Sequence, residues 1–266
     1  MLRIIRLPNL LLSFVAVLVG GWIGIGLKID SNLIIGAIAG AFVAAFGNVA
    51  NDIIDLPIDR INNPNRPLPS GAISITTAWI LTILFLITPL VITFHLGVLP
   101  FAIVVLGSFL LYVYSRWLKL TPLANVTVAV IASLTFILGG VIMNNRFSLF
   151  LFPISVTYHF ARELIKDIID IEGDRLFGSK SIPIIVGSES ARVIAISVII
   201  LFTILSFLPY SYGVVGSYYL YIIMILIPIN IYIIMIIIQN LLMAASRVMK
   251  WVMFIALLAV ITGSPP

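Results

Sequence analysis

Two short windows hold most of the acids in this chain. The first reads Asn48-Val-Ala-Asn51-Asp52-Ile-Ile-Asp55-Leu-Pro-Ile-Asp59. The second reads Arg162-Glu163-Leu-Ile-Lys166-Asp167-Ile-Ile-Asp170-Ile-Glu172-Gly173-Asp174-Arg175, and together the two contain eight of the ten Asp and Glu residues. Positions 48, 52, 55 and 59 share one face of a helix. So do 163, 167, 170 and 174, provided the helix runs that far. Carboxylates stacked on one face repel, so they need raised pKa values or a cation between them. An oxygen-only donor set without Cys or His suits a hard cation such as Mg²⁺. Arg162 and Lys166 stand among the acids. Carboxylates and cations mixed in this way suit a polyanion bridged by metal, and a diphosphate fits: Mg²⁺ takes one or two carboxylates plus phosphate oxygens, while Arg and Lys neutralise the rest. The two windows lie about 110 residues apart, which suggests two halves of one chamber.

The elements that must position these groups are membrane helices. Only 25 of 266 residues are charged (9%), against 62% hydrophobic, and the mean hydropathy is +1.23. Soluble domains carry roughly 25% charged residues, so a soluble globular protein is excluded. A disordered chain is excluded by its opposite composition, and a disulfide scaffold by the lack of Cys. The net charge of +5 comes without any basic run, which argues against nucleic acid. The apolar N-terminal stretch has no small-residue cleavage site and is read as a membrane helix rather than a signal peptide. Runs of about 20 apolar residues occur at roughly 8–27, 33–51, 74–95, 98–115, 122–143, 147–165, 190–209, 216–238 and 249–263. They are continuous, not alternating, so a β-barrel does not fit. The expected fold is all-α: a single domain over residues 1–266, with nine transmembrane helices around a central apolar chamber.

Basic residues agree with that count. With an inside N-terminus, one side holds Arg3, Arg6, Arg60, Arg66, Arg116, Lys119, Arg162, Lys166, Arg175, Lys180, Arg192, Arg247 and Lys250, and the other only Lys28 and Arg146. A bias of that size places the N-terminus and the acid-bearing mouth on the cytoplasmic side of the cell membrane and the C-terminus outside. Both acid windows then fall at the inside ends of spans, where isolated acids are often mere solvated caps. Two clusters that gather most of the acids are not explained that way.

At these residues the chain resembles a known family. Asn51-Asp52-xx-Asp55-xxx-Asp59, followed by Asn63-Pro-Asn-Arg66-Pro67-Leu-Pro69-Ser70-Gly71, is similar to the NDxxDxxxD block and its RPLPSG tail in the UbiA-type intramembrane prenyltransferases. Lys166-xxx-Asp170-xxx-Asp174 resembles the second motif of that family, and Tyr114 to Lys119 with Asn125 resembles a third block. Arg162 stands where many members have Tyr. The block from Arg162 to Asp174, with Gly178 and Ser181-Ile-Pro183, is most like that of members that build archaeal ether lipids. The resemblance implies Mg²⁺-dependent transfer of a geranylgeranyl group from geranylgeranyl diphosphate to the hydroxyl of geranylgeranylglyceryl phosphate, a step of phospholipid synthesis. It implies metal ligands Asn51, Asp52, Asp55, Asp59, Asp167, Asp170 and Asp174, of which Asp52, Asp55, Asp59, Asp170 and Asp174 are catalytic. It implies substrate contacts from Asn51, Arg66, Tyr114, Lys119, Asn125, Arg162 and Lys166. Aromatic-acceptor prenyl transfer of quinone, homogentisate or chlorophyll type is the alternative within the class. A cation-coupled transporter is the alternative outside it, although transporter sites lie near the midplane on broken helices.

Three further expectations concern the surroundings. Phe109, Tyr112, Tyr114 and Phe160 are candidates to face a cationic intermediate with their rings. His159 lies one turn before Glu163 and within reach of the site. The loops near 52–73 and 167–188 should cap the mouth. The first of these is stiffened by Pro57 and Pro64 to Pro69 and is expected not to continue as helix.

Overall fold

The computed structural model describes residues 2–265, and among them there are only helices and turns. In chain order these are α1 (Leu2–Ile5), α2 (Leu7–Trp22), α3 (Ser31–Ile54), α4 (Leu56–Asn62), α5 (Ile75–Leu96), α6 (Val98–Val113, continued by a π-helical turn Tyr114–Leu118), α7 (Ala124–Ile142), α8 (Ser148–Ile169), α9 (Ile171–Leu176), α10 (Ile182–Val186), α11 (Ser188–Leu205), α12 (Leu208–Ser211), α13 (Ser217–Ile238) and α14 (Leu242–Gly263). The long helices α2, α3, α5, α6, α7, α8, α11, α13 and α14 follow the nine apolar runs in order. Seven of them are long and apolar enough by themselves to cross a membrane. The two exceptions have visible causes: α2 has only 16 residues, and α8 ends in a charged stretch from Arg162 to Asp167.

Two boundaries differ from the sequence expectation. The first span ends at Trp22 rather than near 27, because Gly24 and Gly26 take φ of 71° and 91° and turn the chain. The last helix begins at Leu242 rather than near 249. The chain reverses at Asn240 (φ 61°), so Arg247 lies within the helix instead of before it. Arg3, counted above with the basic residues of the mouth, has its side chain outside the described residues.

The bundle closes through small residues. At the crossing of α2 and α7, Gly139 sits against the Val17 carbonyl and the Gly21 nitrogen, and Gly20 against the backbone of Phe136. Apolar lipid gives helices no hydrophobic reason to associate, so close backbone approach of this kind supplies the contact. Asn145 ties the far end of the same pair. Its Nδ2 donates to the carbonyls of Gly21 (2.9 Å) and Ile23 (2.7 Å), and its Oδ1 accepts from the Phe147 nitrogen. A continuous core from α2, α7, α8, α11, α13 and α14 runs from Leu164 and Ile165 to Ile233 and Met249. Outward faces stay apolar, as with Ile80, Ile83 and Ile87 on α5, which fits a lipid surround.

The helix ends that carry the acids are all broken. α3 stops at Ile54, Asp55 caps it, and α4 starts with Pro57 in its first turn. The expectation that Pro57 would prevent helix is therefore corrected. Proline lacks the N–H that a first-turn residue leaves unused anyway, so it starts α4 instead. α8 likewise breaks at Asp170 before α9, which ends beside Gly178 (φ 71°). In the π turn the Lys119 nitrogen bonds the Tyr114 carbonyl at 2.9 Å, one residue wider than an α turn, which re-aims the residues after it.

Candidate active site

These ends surround one cavity of about 1210 Å³. Its deep wall is apolar: Leu12 and Ala16 from α2, Phe136 from α7, Leu151 and Ile154 from α8, Phe202 from α11, Ile223 from α13, and Met253, Leu257 and Val260 from α14. Its mouth is charged, lined by Asp55, Asp59, Glu163, Asp170 and Asp174 and by Arg6, Arg66, Arg116, Lys119, Arg162, Lys166 and Lys250.

Most of these charges are paired. Arg66 Nη1 donates to Asp59 Oδ2 at 2.6 Å, and Asn63 Nδ2 donates to Asp59 Oδ1 at 3.1 Å. Lys119 Nζ pairs with Asp55 Oδ2, which also accepts from Asn51 Nδ2 at 2.7 Å. Glu163 takes both Lys166 (2.7 Å) and Arg162 (3.2 Å). Arg6 Nη2 reaches Asp52 Oδ1 at 2.6 Å. Among the described residues, the carboxylates of Asp170 and Asp174 have no ion pair or side-chain hydrogen bond. Burial first, and then the neighbouring Asp170, push the Asp174 carboxyl above its ordinary value, against the pull of Lys119. Ionised Asp174 therefore costs stability as pH rises through its folded pKa, unless a cation joins it.

Of the residues expected at the site, Asn51, Asp55, Asp59, Arg66, Tyr114, Lys119, Arg162, Lys166, Asp170 and Asp174 lie on the cavity wall. Asp52, Asn125 and Asp167 stand behind it. Asp52 is 4% exposed and holds Arg6, while Asp167 accepts from Asn125 Nδ2 at 2.9 Å. Arg6 and Lys250 are wall residues that sequence reasoning counted only as topological charges. Arg6 has left-handed backbone (φ 54°, ψ 64°), a conformation that costs a non-glycine residue ~1–2 kcal/mol. Its ion pair and the Asn48 Nδ2 bond to the Ile5 carbonyl (2.8 Å) hold it there.

The aromatic expectations are partly corrected. Phe109 and Tyr112 are exposed, 61% and 47%, on the outer face of α6, and Phe160 packs against the core away from the cavity. Helical phase decides this: Tyr114 reaches the wall, while 109 and 112 lie on the opposite side. Phe136, Tyr158 and Phe202 line the cavity instead, with the rings of Tyr158 and Phe202 4.4 Å apart. His159 also lies on the wall.

Among the described residues, no three acids or histidines stand close enough to form a finished metal cage. The donor set nevertheless suits a hard cation that substrate oxygens complete. Asp170 and Asp174 are unspent, and Asn51 Oδ1 is buried on the wall region without a partner.

Comparison with known proteins agrees with this architecture. Residues 13–260 match the UbiA prenyltransferase family. The chain is 39% identical over 222 residues to the digeranylgeranylglyceryl phosphate synthase of Methanococcus maripaludis (strain C5), covering 82% of this chain and 79% of that one. A solved structure of digeranylgeranylglyceryl phosphate synthase shares 33% identity at a TM-score of 0.83, over 98% of this chain and 96% of that one. A UbiA homologue from Archaeoglobus fulgidus, solved bound to GPP and Mg²⁺, shares the fold at 22% identity and a TM-score of 0.74, over 98% and 99% of the two chains. The chain belongs to the UbiA prenyltransferase family, and it is an all-helical, multi-pass membrane prenyltransferase.

Proposed function

We propose that this enzyme transfers the geranylgeranyl group of geranylgeranyl diphosphate to the free hydroxyl of geranylgeranylglyceryl phosphate, giving digeranylgeranylglyceryl phosphate. The observation that carries this reading is the cavity itself. It joins a mouth of acids and cations to an apolar wall, and its volume exceeds the ~300–1,000 Å³ of ordinary small-molecule sites. Two prenylated, phosphorylated substrates need such a space. The similarity to relatives named for this product over most of the chain supports the same reading.

The residues suit Mg²⁺ as cofactor: Asp170 and Asp174 on one side and Asn51, Asp55 and Asp59 on the other would hold it. When bound, it neutralises the charge that develops on the departing diphosphate. Lys119, Arg66 and Lys166, held in place by Asp55, Asp59 and Glu163, would offer further donors to the diphosphate oxygens and so favour the charge-separated transition state. The donor C–O bond breaks, diphosphate leaves, and the acceptor oxygen forms the new ether bond and loses its proton. Phe136, Tyr158 and Phe202 exclude water from the allylic cation and offer it π faces. The segments near 52–73 and 167–188 act as caps over the mouth; the bond from the Lys180 nitrogen to the Leu120 carbonyl (2.8 Å) supports this for the second. The basic residues gathered at this end support a cytoplasmic position for it.

The direct test incubates the purified protein with labelled geranylgeranyl diphosphate, Mg²⁺ and either geranylgeranylglyceryl phosphate or an aromatic acid. Transfer to the phosphorylated acceptor is expected, abolished by EDTA and restored by Mg²⁺. Transfer to the aromatic acid alone would replace this reading with the quinone-type one.

Asp52 contributes through Arg6. Asp52→Asn and Arg6→Met should each lower turnover by about tenfold, and the double variant should fall no further than either single one. Independent, multiplying losses would show that Asp52 acts in its own right, as a metal ligand.

A further inference from the structure

Charge pairing at the mouth leaves two wall cations without an ion pair among the described residues, Arg116 and Lys250, and of these Arg116 is exposed. Five of the wall cations are tied to acids: Arg6, Arg66, Lys119, Arg162 and Lys166. Lys250 is a wall residue with no ion pair among the described residues, and it is half-buried. It comes from α14, which contributes no acid. An ammonium on a membrane helix at a cavity wall is expensive unless an anion meets it.

The helix around Lys250 says what kind of anion. Met253, Ala256, Leu257 and Val260 follow Lys250 at helical spacing and line the same cavity. Arg247, one turn earlier, is exposed and off the cavity wall. α14 thus presents a cation at the head of an apolar stripe about 15 Å long, at 1.5 Å per residue. That pattern matches an amphiphile with an anionic head and a hydrocarbon tail. The donor diphosphate is provided for elsewhere, by the acids of α3, α4, α8 and α9 and by their paired cations.

We propose that Lys250 binds the phosphate of the acceptor lipid, with the acceptor's prenyl chain laid along the Met253–Val260 stripe, and so selects phosphorylated over uncharged or aromatic acceptors. This rests on the function proposed above and adds to it which residue reads the acceptor.

The test measures KM separately for geranylgeranyl diphosphate and geranylgeranylglyceryl phosphate in wild type, Lys250→Met and Lys250→Arg, each full-length in nanodiscs with Mg²⁺. In Lys250→Met the acceptor KM should rise at least ~10-fold while the donor KM stays within about 2-fold, and Lys250→Arg should recover most of the loss. A second readout is the preference for geranylgeranylglyceryl phosphate over geranylgeranylglycerol. It is a ratio within one preparation and does not depend on how much protein is folded. Wild type should show a strong preference and Lys250→Met almost none. An unchanged acceptor KM with the preference intact would overturn the proposal and leave Lys250 as a residue that merely reaches the interface. A donor KM that rises in parallel would reassign Lys250 to the diphosphate. If wild type itself fails to use the phosphorylated acceptor, the functional reading fails, and the inference fails with it.

Discussion

Asp170→Asn should yield a folded protein that turns over at least ~100-fold more slowly, the scale set by removing one preorganised group that stabilises developing charge. The reason lies in the pairing at the mouth. Asp55 and Asp59 already hold Lys119 and Arg66, whereas Asp170 has no ion pair or side-chain hydrogen bond among the described residues. Nothing in the fold is lost when its charge goes. One source of repulsion on Asp174 is removed, so the melting temperature should hold or rise slightly. Asp174→Asn should behave alike. Size-exclusion profile and melting temperature, measured beside turnover over a range of Mg²⁺ concentrations, separate the possibilities. A variant that melts early would make Asp170 structural, and near-wild-type turnover would remove it from the site.

The largest effect on stability is expected from Gly139→Ala. A Cβ on Gly139 would collide with the Val17 carbonyl oxygen and crowd the Gly21 nitrogen. Both belong to backbone, which does not swing aside as a side-chain tip would. Overpacking of this kind costs ~1–3 kcal/mol or more, and in a bundle of this size each kcal/mol is worth ~2–4 °C in Tm. Separation of α2 from α7 would also disturb Ala16 and Phe136 on the cavity wall, so activity should fall with stability. Gly107 supplies the control. It lies inside α6 with nothing within 4 Å of its would-be Cβ, and Gly107→Ala should be neutral or mildly stabilising. Equal Tm values for the two variants would show that the glycine contact does not hold the helices together.

Much of the molecule was legible in the linear chain because membrane insertion imposes a simple code. Apolar runs gave the order of the long helices, and the rarity of charge made each acid informative. The ends were less legible. The last helix begins seven residues earlier than its hydropathy suggests, because a charge such as Arg247 lowers hydropathy without breaking a helix. Pro57 reads as a stop and acts as a start, since its effect depends on which turn of the helix it occupies.

The acids and cations were found from residue type and spacing, but not what each one faces. Sequence alone determined that this chain is an all-helical membrane protein with two oxygen-rich clusters at one end of its helices. That follows from local chemistry: hydropathy and periodicity act within a few turns. Only the tertiary structure decided that Asp52 and Asp167 stand behind the wall while Asp170 and Asp174 line the cavity without an ion pair among the described residues. It alone joined Arg6 to Asp52, 46 residues away, and brought Lys250 to the same cavity. Such partners are set by how distant helices pack and by breaks and π turns that shift helical phase, and a charge in a sequence does not specify which opposite charge will neutralise it.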